Sequence, residues 1–74
     1  MELLKTHEHI RPGNDCLLSD YVCLIRLRHD IYLVTHTSCV QGSWTGNMQS
    51  TSTKTFDSHK KALKYTNALI NALI

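Results

Sequence analysis

Apolar and polar residues alternate through residues 21–37, and this alternation predicts a β-hairpin. If the chain turns tightly at His29 and Asp30 and its arms pair in antiparallel register, most large apolar side chains project from one face. This predicted core face consists of Tyr21, Cys23, Ile25, Leu27, Tyr32, Val34 and His36. The predicted outer face consists of Val22, Leu24, Arg26, Arg28, Ile31, Leu33, Thr35 and Thr37. A shift of one residue would mix the two sets, so the pattern favours this register.

A third strand is predicted near residues 48–56. The segment MQSTSTKTF is rich in threonine, which favours pleated structure, and a two-stranded hairpin alone is only marginally stable. Its polar composition also fits a flexible connector. Residues 39–47, CVQGSWTGN, are predicted to form a loop in which two glycines flank Trp44.

The C-terminal segment, residues 58–74, shows the pattern of an amphipathic helix. Asp57 or Ser58 is the expected N-cap, with Phe56 just outside the helix. Apolar residues then recur at spacings of three and four, which predicts one broad apolar stripe. The stripe comprises Ala62, Leu63, Thr66, Leu69, Ile70, Leu73 and Ile74.

These elements predict a single α+β domain over residues 1–74. A small antiparallel sheet of about three strands, made of the hairpin 21–37 and the strand near 48–56, would pack its apolar face against the helix. Upstream, RPGND at 11–15 is predicted to be a turn. The preceding ELLKTHEH fits a short edge strand and one turn of helix equally well, so residues 1–19 are left open.

Charge and cysteine content narrow the class of protein. The chain has a formal net charge of +2, and residues 21–74 hold six lysines and arginines against two aspartates. A basic body of this kind points weakly to a partner with an anionic surface. Three cysteines without a CxxC pair, no signal-peptide pattern and no apolar run of membrane-spanning length predict a cytoplasmic protein that does not bind membranes.

The residues that could carry metal or catalytic chemistry fit structural roles better. His7, His9 and Cys16 suggest part of a zinc site, but the tight C-x2-4-C or H-x3-5-H pairs of such sites are absent. Cys23 faces His36 in the predicted register, yet no third group orients the pair and both lie on the face expected to be covered. No phosphate loop, paired-carboxylate motif or hydrolase elbow occurs. We therefore expect a non-enzymatic protein without metal or cofactor.

The hairpin arginines are one candidate for a binding surface. Arg26 and Arg28 lie two residues apart on the predicted outer face, about 7 Å along the strand. Their neighbours Ile31 and Leu33 add apolar contact, and this mixture is typical of interface cores. The alternative interpretation is that the arginines discourage aggregation of an exposed sheet.

Lysines at the helix start are a second candidate. Lys60, Lys61 and Lys64 lie near the end of the helix at which the dipole disfavours cations, and departures from local energetics often mark functional sites. Exposed lysines that only maintain solubility are the alternative. Trp44 is a third candidate, because Trp is enriched at binding hot spots, although a lone Trp also commonly caps a small core.

The order strand-strand-strand-helix with SHKKALKYTNAL at 58–69 resembles the end of double-stranded RNA-binding domains. In that family, lysines at a helix start meet phosphates across the groove, so the resemblance implies phosphate contacts for the lysines of this helix. The chain departs from the family in two respects. No first helix is predicted before the strands, and TFDSH stands where the family has a glycine-containing, strongly basic approach.

Two functions remain as hypotheses. The first is a small non-enzymatic binding protein that modulates or inhibits a macromolecular complex, such as the anti-defence inhibitors of phage and mobile elements, anti-CRISPR proteins included. The alternative is a nucleic-acid-binding module that contacts phosphates through the hairpin arginines and helix lysines. A homodimer is also expected, since small domains often recover missing core by dimerising. The predicted contact residues are Arg26, Arg28, Ile31, Leu33, Trp44, Lys60, Lys61 and Lys64.

Overall fold

The protein folds into a four-stranded antiparallel sheet with one helix packed against it. The structure is a computed structural model and describes residues 1–42 and 46–74. The strands are neighbours in the sheet in the same order as along the chain. The elements are β1 (Glu2–Gly13), β2 (Cys16–Arg28), β3 (Ile31–Gly42), β4 (Gly46–Phe56) and α1 (His59–Leu73). The predicted α+β class is confirmed, and the sheet has four strands rather than about three because the N-terminal segment also forms a strand.

β1 joins β2 through the turn predicted at RPGND. The paired strands end at Gly13 and Cys16, so Asn14 and Asp15 form the connection. Asp15 has a φ of 58°, in the left-handed region, which Asp tolerates better than most residues because its short side chain can bond the local backbone. Residues 2–9 form part of β1 at the edge of the sheet, so of their two interpretations the edge strand is correct.

The predicted register of the central hairpin is wrong by one residue along most of its length. Arg26 pairs with Tyr32 and Leu24 pairs with Val34, while the register shifts between Arg26 and Arg28. This irregularity adds one residue to β2 near the hairpin turn, and an added residue sends every earlier side chain of β2 to the opposite face.

The core face of β2 is consequently the one predicted to be its outer face. Val22 and Leu24 are fully buried, whereas Cys23 and Ile25 are only half-buried on the other side. The core face of β3 is the predicted one, since Tyr32 is buried. The core consists of Val22, Leu24, Tyr32, Val34, Ala62 and Ile70.

Helix α1 lies on this core face, as its apolar stripe predicts. It begins after Ser58, which occupies the N-cap position without a side-chain capping bond. Ala62 and Thr66 are fully buried, and the Thr66 hydroxyl donates a hydrogen bond of 2.8 Å to the Ala62 carbonyl, which satisfies it locally. Ile74 was predicted to be part of the stripe, but it follows the last helical residue and is 81% exposed.

The helix covers only part of one side of the sheet. Its 15 residues span about 22 Å, half of the 44 Å length of the molecule. In the described ranges, no element packs on the opposite side of the sheet, which we call the open face. Nor does this part of the chain contain a helix long and apolar enough to cross a membrane.

Candidate interaction surface

The open face is defined by the alternation of side chains along each strand. The pairing of β1 with β2 places Leu3 and the even-numbered residues 6–12 of β1 on the open face. From the other strands it receives the odd-numbered residues of 17–25, 31–41 and 49–55, together with Arg28, which pairs with Ile31 after the register shift. It therefore extends across all four strands, on the side away from α1.

The β1–β2 half of the open face is apolar and exposed. Leu3 is 61% exposed, Ile10 57%, Leu17 50% and Tyr21 41%. The last three also line a shallow depression of about 210 Å³. A group of exposed apolar side chains of this kind, in a domain whose core lies on the other side, is typical of an interaction surface.

Threonine is the commonest residue in the β3–β4 half of the open face. Thr35 pairs with Thr53 and Thr37 pairs with Thr51, and the Oγ1 atoms of the second pair are 3.2 Å apart. Cross-strand threonine pairs of this type stabilise a sheet modestly. The open face thus has an apolar half and an uncharged half in which threonine pairs lie beside the half-buried Ile31 and Leu33.

Formal charge is scarce on the open face. Among the described strand residues that the ladders assign to it, only Glu8 and Arg28 are charged. Phosphate backbones are bound by several cations acting together. The chemistry of this face therefore suits a protein partner better than a nucleic acid.

The two hairpin arginines do not share a face, contrary to the prediction. Arg26 pairs with Tyr32 on the helix side, and Arg28 pairs with Ile31 on the open face. The register shift between them is the physical reason, because one added residue reverses the alternation. Arg26 also forms an ion pair with Glu2, with 3.2 Å between Nη2 and Oε1. The two arginines therefore cannot grip adjacent phosphates from one surface.

The other predicted contact residues that the structure describes also lie on different sides of the sheet. Ile31 and Leu33 lie half-buried on the open face, as the sequence predicts. Lys60 and Lys64 are exposed on α1, on the opposite side of the sheet. Lys61 is exposed there too, with its Nζ 3.7 Å from a carboxylate oxygen of Asp57. Trp44, predicted to make contacts, lies outside the described residues.

A polar cluster lies on the helix side beyond the core. The Asp20 carboxylate accepts a hydrogen bond of 2.7 Å from the Ser38 hydroxyl and lies 3.0 Å from Nε2 of His36. The hydrogen bond from Ser38 is the main cause that lowers the pKa of Asp20, and His36 and the positive charge of Arg11 add to it against the cost of burial. Nearby, Nε2 of His7 is buried and has no hydrogen-bond partner within the described part of the chain.

The candidate metal and thiol groups are not brought together. No set of three or more His, Cys, Asp or Glu side chains in residues 1–42 and 46–74 is arranged to hold a metal ion. Cys23 pairs with Thr35 on the open face, whereas His36 pairs with Val22 on the helix side. The predicted juxtaposition of Cys23 and His36 is therefore wrong, for the same reason as that of the arginines.

The sequence pattern does not indicate the most exposed large apolar residues of the open face. Leu3 and Ile10 lie within residues 1–19, for which the sequence favours no single structure, and Leu17 precedes the predicted hairpin. The alternation predicts that Tyr21 is in the core, because it gives no sign of the register shift. Extending the alternation of β2 back to Cys16 would have indicated that both of its faces are apolar.

Comparisons with known proteins add no relative. No protein-family model matches the chain, and neither the curated proteins nor the solved structures give a match.

Proposed function

We propose that the protein is a non-enzymatic binding protein that modulates a macromolecular complex by docking its open face onto a protein of that complex. The observation that carries this proposal is the exposed apolar group formed by Leu3, Ile10, Leu17 and Tyr21. These side chains lie on a face that no element of the described chain covers. Apolar groups of this kind commonly become the centre of an interface.

The dimensions and charge of the open face support a protein as the occupant. The two longest dimensions of the molecule are 44 and 20 Å, and a standard protein interface buries about 800 Å² on each partner. The apolar half would contact an apolar patch of the partner, and the threonine half would supply hydrogen bonds at the rim. The scarcity of charge on this face disfavours a phosphate backbone.

The action that we propose is inhibition by occlusion. A bound domain of this size covers a surface that a larger complex needs for its substrate or for assembly. No catalytic motif in the sequence supports an alternative action. Anti-defence inhibitors of phage, among them anti-CRISPR proteins, are the class of protein that this mode of action fits.

Nucleic-acid binding through α1 is the second candidate. Lys60, Lys61 and Lys64 are exposed, and the first turn of the helix contains no acidic residue. These lysines would contact phosphates from the helix side, without the open face. Replacing all three with serine would therefore weaken this mode of binding and leave open-face docking unchanged.

The two candidates differ in their salt dependence. Titration with labelled duplex DNA and duplex RNA at increasing salt is expected to show weak binding that disappears near physiological ionic strength. Tight binding of either duplex, lost in the triple lysine variant, would contradict docking through the open face as the main function.

Matched variants test the open face directly. The double variant L17S/Y21S removes two exposed apolar side chains from it, and M48S/I74S removes two exposed apolar side chains that lie elsewhere. In nuclease-treated lysate, a protein captured by the wild type and by M48S/I74S should be captured at least about tenfold less well by L17S/Y21S, a difference of about 1.4 kcal/mol. Equal capture by both double variants would refute the proposal.

A further inference from the structure

The two edges of the sheet are protected to different degrees. β1 forms one edge and β4 forms the other. β1 carries Pro12, four lysine, arginine or acidic residues and a register shift at Leu4. Proline, charge and bulges are the usual features that prevent an edge strand from pairing with another chain.

β4 lacks these features. Gly46–Phe56 contains no proline, and its pairing with β3 runs without a register shift along the whole strand. Every side chain from Met48 to Thr55 is exposed. In the described residues β4 pairs only with β3, so its other edge presents unpaired backbone groups. A long, regular, nearly uncharged edge of this kind is a template for another strand.

The one charged residue of β4 does not protect this edge. The Nζ of Lys54 lies 5.0 Å from the ring centroid of Tyr65 and 5.6 Å from that of Phe56. Both distances fit cation–π contacts, which draw the ammonium group toward the helix side. From Met48 to Thr55, the other side chains of the edge are one methionine and uncharged serine, threonine and glutamine residues.

We infer that β4 is the strand through which two copies of this chain join, by antiparallel pairing about a two-fold axis at Thr51. Thr51 would then face Thr51 of the second copy, Gln49 would face Thr53, and Met48 would face Lys54. This register opposes no like charges and adds a threonine pair at the centre. The occupant is therefore a second copy, because the strand is complementary to itself in the way that a two-fold interface requires.

The same operation centred on Glu8 of the other edge is unfavourable. Pairing β1 with itself about Glu8 would oppose two Glu8 carboxylates and would place Lys5 opposite Arg11. Like charges directly opposite each other destabilise strand pairing. The two edges thus differ in backbone regularity and in the number of charged residues, and both differences favour β4.

The dimer would present two binding surfaces on one side. The two-fold axis is perpendicular to the sheet, so the pair forms one continuous eight-stranded sheet with both open faces pointing in the same direction. Their threonine halves meet at the centre and their apolar halves lie outside. This inference is independent of the proposed function, although a dimer could bind two partner sites at once and gain affinity through avidity.

A charge placed on the axis tests the inference. In T51K, two lysines face each other across the two-fold axis, and sedimentation velocity is expected to show a dimer dissociation constant at least about tenfold higher than that of the wild type. T6K is the matched control, because it places the same substitution at an exposed threonine on the opposite edge and should leave the dimer unchanged. Thermal melts of both variants establish that they are folded.

Rescue by opposite charge makes the test specific. T51E alone should also weaken the dimer, whereas an equal mixture of T51K and T51E should associate as tightly as the wild type, because the new lysine of one copy then faces the new glutamate of the other. A wild-type chain that stays monomeric at high micromolar concentration overturns the inference. So does a mixture that fails to associate, or a T6K variant that weakens the dimer as much as T51K.

Discussion

At the scale of single residues, Asp20 shows how a buried charge is tolerated in a small domain. It is 8% exposed, yet its carboxylate receives a hydroxyl hydrogen bond from Ser38 and lies beside His36. Both contacts favour the ionised form, which is why the pKa of Asp20 is lowered. His9 is its cross-strand neighbour on β1, and Arg11 adds positive charge from the same strand.

Removing the Ser38 hydroxyl should make the fold less stable in a pH-dependent way. A carboxylate with a lowered pKa stabilises the folded state above its unfolded pKa, about 3.8, and this stabilisation is lost as the pH falls through the lowered value. S38A should therefore cost about 1.5 kcal/mol near neutral pH and progressively less below pH 3.8. Urea unfolding across this pH range measures the effect.

S50A provides the control for this prediction. Ser50 is the cross-strand neighbour of Ser38, but it is exposed, so its loss should change stability little at any pH. A cost for S38A that is the same at pH 7 as at pH 2 would mean that the Asp20 charge plays no part.

At the scale of elements, the register shift at Leu27 decides which face of β2 becomes the core. Val22 and Leu24 are fully buried, whereas Ile25 is half-buried on the open face. Both faces of β2 are apolar enough to be buried, so the periodicity of the strand permits either choice. The helix then packs on whichever face combines with Tyr32 and Val34 of β3.

Alanine variants of Leu24 and Ile25 should show which face of β2 is buried. L24A is expected to cost about 3 kcal/mol, because it leaves a cavity under α1. I25A should cost about 1 kcal/mol or less, because its side chain is already partly in solvent. Urea unfolding of the two variants measures the difference. The register predicted from the alternation alone requires the opposite order, so a larger cost for I25A would contradict the structure.

At the scale of the whole molecule, α1 covers one end of the sheet, and among the described residues no helix covers the other end. The core residues lie under α1, near the β2–β3 turn, while Leu18 and Val40 lie farther along the same two strands. The core residues of β2 and β3 and these two residues all lie in central strands, which have a neighbouring strand on each side. They differ mainly in helix cover, and local stability follows buried apolar contact.

Amide hydrogen exchange should follow this division. The amides of Val22, Leu24 and Val34 are expected to exchange the slowest, and those of Leu18 and Val40 at least about tenfold faster, because opening the uncovered end breaks fewer apolar contacts. Two-dimensional NMR in deuterated buffer resolves the individual rates. Uniform protection along β2 and β3 would show that the sheet opens as one unit, with no contribution from partial helix cover.

Much of the fold was predictable from local pattern, because its signals are carried by neighbouring residues. Apolar spacing over 62–73 predicted α1, alternation predicted β2 and β3, and threonine content predicted β4. The turn at 11–15 followed from its proline, glycine and asparagine. The candidate site was predicted only in part: Ile31 and Leu33 lie on the open face, but its most exposed apolar residues were not among those predicted.

What the sequence by itself determined is the presence of β2, β3, β4 and α1, since periodicity and composition are properties of a short stretch of chain. The tertiary structure alone decided the face of β2 that is buried, the separation of Arg26 from Arg28 and the strand character of residues 2–13. Each of these depends on partners distant in sequence. Leu24 becomes core because the extra residue at Leu27 places it beside Val34 and under α1, and β1 is a strand because β2 offers it a ladder of hydrogen bonds.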